Sequence, residues 1–187
     1  KHVISEKLVK AVFKSDIIAS VLDWIEKKDL AQERAELRKL NNNLDKTKIL
    51  KLIDAQKKGD RGTCILGIYE GLSALSAVRK FRDTQTQGAF PLKGKFINVS
   101  EMRSSEIIKN DEAVQLMASL GLRLGEEPKG LRYGRIYIYT DADPDGNHIA
   151  ASLINFFNRF WPELFDHGRV YKVMTPLVVA KKAKEHL

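Results

Sequence analysis

The chain has 187 residues, enough for one ordinary domain with additional elements, and 43% hydrophobic against 30% charged residues supplies a core and excludes a disordered chain. No run approaches the roughly 20 apolar residues of a membrane-spanning helix, and the opening KHVISEKLVKAVFK lacks the apolar centre of a signal peptide. The 32 Lys and Arg exceed the 24 Asp and Glu by eight, a balance that permits a polyanionic partner without requiring one, while the single Cys64 excludes an internal disulfide and reads as a buried strand residue.

The first residue is Lys rather than Met, the beginning expected of a segment of a longer protein. Ser15-Asp16 precede Ile17, Ile18, Val21, Leu22 and Ile25, whose three- and four-residue spacing predicts a helix. Strong helix formers in EKKDLAQERAELRKL carry it to the asparagines at 41–43. A second, short helix is expected over about 46–57, before Gly59. Residues 1–58 thus read as a helical segment, either an arm or a surface packing element, and 59–187 as the main domain. From Thr63 the texture changes: TCILGIYEG reads as a buried strand and SALSAVRKFR as a helix. KFINVS is the next strand candidate, and SSEIIKNDEAVQLMASLGL offers two helical pieces around Asn110-Asp111. GRIYIYTDAD, β-branched and aromatic throughout, is the clearest strand. GNHIAASLINFFNRFWPELF predicts a helix broken at Trp161-Pro162, where proline lacks an N–H. GRVYKVMTPLVVAKK closes with one or two strands. Strands alternating with helices predict an α/β fold with a mostly parallel, helix-covered sheet.

Asp141, Asp143 and Asp145 stand at alternate positions before Gly146, in TDADPDGNHI. Such crowded carboxylates repel one another unless a cation sits among them. A calcium-binding EF-hand loop needs a bidentate Glu at its twelfth position and a preceding helix. Here that position is Ser152, the preceding run RIYIYT is a strand, and Pro144 fixes a backbone angle inside the loop. A strand end feeding a helix is instead where open α/β sheets bind ligands. Asp141 and Asp143 point the same way from an extended segment and can share Mg2+, or Mn2+ in its place, together with a substrate phosphate. The plainer alternative is a set of solvated, helix-capping acids. Glu70 ends another strand, in GIYEGLSA, and completes a four-carboxylate site if that strand lies beside the first.

Taken together, EG and SA after a strand, then PLKGKFINV, then TDADPDGNHI resemble, in that order, the Toprim domain of type IIA DNA topoisomerases, the family of the gyrase B-like large subunits. LRYGRIYIYTDAD and the later FFNRFWPELFDHGRVYKVMTPLVVAKK follow the same pattern, so the resemblance spans about residues 50–182. The N-terminal helices resemble the end of the transducer that precedes Toprim in those enzymes. Two departures stand out: Leu72 replaces the usual Asp of EGDSA, which points to a divergent, phage-like member, and Lys93 replaces the usual Arg of PLRGK.

The resemblance implies a Rossmann-like Toprim fold and reversible cleavage of double-stranded DNA through an enzyme-linked phosphotyrosine. It implies Mg2+ held by Glu70, Asp141 and Asp143, with Asp145 at a second metal position or orienting the first, and Glu70 also as general acid–base at the 3′-oxygen. The attacking tyrosine is expected in a breakage–reunion region on another chain or a later segment, within a dimeric or heterotetrameric assembly, and ATP in a domain outside this chain. Arg82, Lys93 and Lys95 are candidate contacts to DNA phosphates, against a reading as solvated charge. His148 either approaches the scissile backbone or hydrogen-bonds locally. A cytoplasmic, nucleoid-associated protein with no membrane partner is expected. The rival readings are a non-catalytic DNA-binding or assembly module, and another Toprim enzyme such as a primase or nuclease.

Overall fold

The chain is described by a computed structural model over residues 5–100, 102–174, 181–182 and 185–186. It separates into two compact units, 1–39 and 40–187. The first holds α1 (Glu6–Lys14) and most of α2 (Ile17–Leu44). The last turn of α2 belongs to the second unit, where Leu40, Asn41 and Leu44 are buried and Asn41 Nδ2 donates to the Leu124 carbonyl at 3.1 Å. Residues 40–58, grouped with the helices from sequence, therefore help build the second unit.

The helix expected over 46–57 does not form. Ile53 instead exchanges two backbone hydrogen bonds with Ala89, both at 2.9 Å, in an isolated antiparallel bridge. Gln56 and Lys57 donate to the carbonyls of Thr84 and Gln85. Partners from a distant segment outweigh the helix propensity of this stretch, a small term easily overridden by tertiary context.

Four parallel strands make the sheet, in the order β2 (Gln87–Leu92), β1 (Ile65–Glu70), β3 (Arg135–Tyr139), β4 (Val170–Val173). Helix α3 (Gly71–Phe81) follows β1; α4 (Ser104–Ile107) and α5 (Asp111–Leu120) lie between β2 and β3; α6 (Pro144–Phe160) and α7 (Glu163–Asp166) link β3 to β4. The clearest predicted elements are all present. The break at Trp161-Pro162 separates α6 from α7, and Asn110 caps α5 by accepting from Ala113 N. Of the predicted closing strands, β4 and the two-residue β5 (Lys181–Lys182) are seen, β5 pairing with β6 (Glu185–His186); residues 175–180 fall outside the described chain.

KFINVS is not a strand. The strand lies just upstream, in QGAFPL, where Pro91 argues against it from sequence. β2 is an edge strand, and Ala89 directs its N–H and C=O away from β1 toward Ile53, so Pro91, two residues on, also faces outward. Its missing N–H removes nothing from the β1–β2 ladder. At Gln87 the outward N–H donates to the Asp83 carbonyl, and the outward carbonyl accepts from Arg82 Nη1.

Side chains alternate across the strands. Leu66 and Ile68 of β1, Ile136 and Ile138 of β3, and Phe90 and Leu92 of β2 are buried, as are Ile149, Leu153, Phe156 and Phe157 of α6 and Leu116, Met117 and Leu120 of α5. Phe156 packs edge-on against Phe96 at 5.2 Å and Trp161 at 5.5 Å. The other register carries tyrosines that stack across neighbouring strands, Tyr69 on Tyr139 at 4.6 Å and Tyr137 on Tyr171 at 4.9 Å. Cys64 is buried, one residue before β1 begins.

Candidate functional site

All four strands run the same way, so their carboxyl ends share one edge, the edge at which open α/β sheets bind ligands. Glu70 is the last residue of β1 and the N-cap of α3, but its side chain makes no capping bond. The carboxylate turns to the neighbouring strand instead: Glu70 Oε2 accepts from the backbone N–H of Asp141 at 3.2 Å. The parallel register of β1 and β3, with Tyr69 opposite Tyr139, brings these two strand ends together.

Beyond β3 the chain enters α6 through Asp143, the N-cap, whose Oδ1 accepts from Gly146 N at 2.7 Å, with Pro144 opening the helix. Gly146 is needed here because a Cβ at that position would lie 2.2 Å from the Asp141 carbonyl oxygen. This contact folds the first turn of α6 tightly over the strand end. Asp145 lies in that turn, where the partial positive charge of the helix N-terminus favours an acid. The capping role weighed as the plainer alternative is thus played by Asp143 through one oxygen.

The side chains are differently engaged. That of Asp141 has no hydrogen bond or ion pair among the described residues, Asp143 uses one oxygen as a cap, and Asp145 Oδ1 pairs with Lys95 Nζ at 3.0 Å. Among the described residues no group of three or more His, Cys, Asp or Glu side chains stands together as a ligand set for a metal. The donors that remain, from Glu70, Asp141 and the second oxygen of Asp143, are hard oxygens at one strand edge. Hard oxygens suit Mg2+, and one or two of these carboxylates would suffice, because Mg2+ commonly fills its octahedron with water and substrate phosphate rather than with an all-protein cage.

The candidate cations divide. Lys95 reaches the acid edge through Asp145, and Lys93 lies just before it, its backbone N–H donating to Glu112 Oε1 at 2.7 Å. His148 is exposed near the start of α6. Arg82 is not brought to this edge. It follows α3 and donates to Gln87, the residue that opens β2, paired with the first residue of β1. Two residues that sequence reasoning passed over do reach the site. Lys172 of β4 donates to Asn147 Oδ1 of α6 at 2.6 Å. Glu112 holds both Lys93 N and Lys51 Nζ, each at 2.7 Å. A lone lysine within VYKV is a faint signal for the first; nothing local marks the second.

Four of the five tyrosines stack in pairs on the sheet, and the fifth is buried. Tyr133 is fully buried, and its hydroxyl accepts from Ala55 N at 3.0 Å and donates to Asp54 Oδ1. Burial first, and then the Asp54 hydrogen bond, push its phenol well above the ordinary value. Burial and the adjoining Tyr139 do the same to Tyr69, and burial raises Tyr139.

The family model described as "Toprim domain" matches residues 65–174. The chain is 39% identical over 197 residues to DNA topoisomerase 2-beta of Gallus gallus, covering 98% of this chain and 12% of that protein. It is 34% identical over 199 residues to DNA topoisomerase 2-alpha of Homo sapiens, covering 98% of this chain and 13% of that one. Among solved structures, the Plasmodium falciparum topoisomerase II DNA-binding, cleavage and re-ligation domain aligns with a TM-score of 0.69 at 33% identity, over 75% of this chain and 21% of that one. The chain therefore spans less than a quarter of the length of each of these three proteins.

Proposed function

Because this chain belongs to the Toprim domain family, we propose that it is the Mg2+-binding portion of a type II DNA topoisomerase, supporting reversible double-strand cleavage and religation by a tyrosine supplied elsewhere. The observation that carries this reading is the reach of Glu70 across the sheet to the backbone of Asp141, which unites the two acidic motifs at one strand edge. The similarity to topoisomerases across nearly the whole chain supports it.

Glu70, Asp141 and Asp143 are the residues that would hold the ion, with Asp145 at a second metal position or orienting the first. When bound, Mg2+ supplies Lewis-acid stabilisation of charge developing on the phosphate and the leaving 3′-oxygen. Glu70, close to the strand end and not spent on a cap, serves as general acid–base at that 3′-oxygen, giving it a proton during cleavage and recovering it on religation. Lys93, Lys95 and His148 hold the DNA backbone near the acids. The ion would bind weakly alone and more tightly with DNA, whose phosphate would supply a further oxygen ligand.

The stacked or buried placement of the chain's own tyrosines supports a nucleophile from a breakage–reunion region, in a dimeric or heterotetrameric enzyme. ATP hydrolysis belongs, on this reading, to a domain outside this chain. Among the described residues no helix is long and apolar enough to cross a membrane, and the reading places the protein in the compartment that holds the DNA, the cytoplasm in a bacterium.

The test combines the chain with the tyrosine-bearing region of a matched topoisomerase and supercoiled DNA. Cleavage should require Mg2+ and fall by at least about a hundredfold in Glu70→Gln, the scale typical of a lost general acid–base. Metal-dependent nicking by the chain without any tyrosine-bearing partner would replace this reading with a nuclease.

A further inference from the structure

A cation already stands at the acid edge, and it belongs to the protein. Lys95 Nζ lies 3.0 Å from Asp145 Oδ1, and Lys95 is the only partner of that carboxylate among the described residues. The segment that carries the lysine is fixed on both sides. Before it, Glu112 Oε1 accepts from Lys93 N and from Lys51 Nζ, the latter pair largely shielded from solvent. After it, Asn155 Nδ2 donates to Ser100 Oγ at 3.0 Å, and Arg159 donates to the carbonyls of Val99 and Met102. Both of those donors sit on α6, the helix whose first turn contains Asp145. The lysine and its acid are thus held in register through one helix and one anchored segment.

We propose that Lys95 is a resident counter-cation of this edge. It neutralises Asp145 while no divalent ion is bound, competes with that ion for the carboxylate, and is released toward a phosphate when the ion arrives. The proposal rests on the metal reading given above. Its physical basis is the mutual repulsion of clustered carboxylates, which an ammonium relieves as a divalent ion does. Both side chains are about two-thirds exposed, 65% and 69%, so the competition is modest.

Mn2+ is the probe, its free concentration read by electron paramagnetic resonance during titration of the 187-residue chain. Lys95→Gln should tighten Mn2+ binding about two- to fivefold, the range expected of an exposed ion pair. Lys95→Arg should leave the affinity near that of the unaltered chain. Lys93→Gln removes the same charge from the same segment without breaking the pair, and should have the smaller effect. In an Asp145→Asn background, Lys95→Gln should have no further effect.

Unchanged or weaker binding in Lys95→Gln would overturn the proposal. So would an equal gain in Lys93→Gln, or a gain that persists in Asp145→Asn, since either makes the effect one of overall charge. The metal site itself is tested separately: if Glu70→Gln and Asp141→Asn do not weaken Mn2+ binding, the metal reading falls and this proposal with it. If they do weaken it while Lys95→Gln changes nothing, only the role of Lys95 is lost.

Discussion

Asp143 caps a helix and is a proposed metal ligand, and the two roles separate by substitution. Asn is as good an N-cap as Asp, so Asp143→Asn should leave thermal stability in EDTA almost unchanged. Removing the negative charge should nonetheless abolish Mg2+-dependent cleavage in the reconstituted enzyme. Asp143→Ala loses both and should cost about 1 kcal/mol of stability, the usual value of a lost cap. Full cleavage by Asp143→Asn would leave Asp143 with the cap alone. Gly146→Ala should destabilise the fold by about 1–3 kcal/mol, as overpacking does, because its Cβ meets the Asp141 carbonyl; thermal unfolding measures it. At this scale the acids are legible, since alternate aspartates before a glycine at a strand end can be read without neighbours. Lys172 and Glu112 are not, because each matters through a residue far away in the chain.

Elements are legible where their own pattern decides them and illegible where a distant segment does. The β-branched and aromatic run of β3 and the apolar spacing of α6 need no outside help. The stretch 46–57 has residues that suit a helix, yet its backbone partners lie in and before β2, with Tyr133 between. Asp54 in that stretch also receives hydrogen bonds from Lys58 and Arg132. Burial pushes the Asp54 carboxyl up, but hydrogen bonds from Tyr133 and Lys58, with the Arg132 charge, outweigh it and hold it below the ordinary value. A depressed folded-state pKa stabilises above the unfolded value and loses that contribution as pH falls through the folded one. Asp54→Asn should therefore reduce stability at neutral pH, with a gap that closes as pH drops below about 3.9. A gap constant from about pH 7 to about pH 3 in denaturant titrations would refute this. Tyr133→Phe should cost about 1–3 kcal/mol at neutral pH, the penalty for leaving the buried Ala55 N–H without its acceptor.

The whole chain carries eight more basic than acidic side chains, yet its proposed centre is acidic. On the proposed reading, DNA attracted by the surplus would have to bring its phosphates to an edge that repels them unless cations intervene. The unmodified chain should bind duplex DNA weakly and lose that affinity steeply between about 50 and 200 mM salt, conditions over which phosphate contacts are strongly screened. It should leave the DNA uncut. Adding Mg2+ at constant ionic strength should strengthen binding, whereas the same addition to Asp141→Asn should not. Fluorescence anisotropy of a labelled duplex checks both statements; salt-independent binding would remove the electrostatic account.

The outer side of β2 has a further consequence, for the protein's behaviour in crowded solution. A free strand edge is a template on which foreign strands can grow, and natural sheets blunt such edges with proline, charge or a covering segment. Here Gln87 and Ala89 have both outward groups occupied, and Pro91 has no hydrogen to offer. Ile53→Pro would remove the N–H that the Ala89 carbonyl accepts, weaken the bridge and reopen part of that template. Its signature would be concentration-dependent self-association, visible as light scattering, in a variant that still unfolds cooperatively when dilute. The proline that conceals this strand from sequence reading also blunts its free edge.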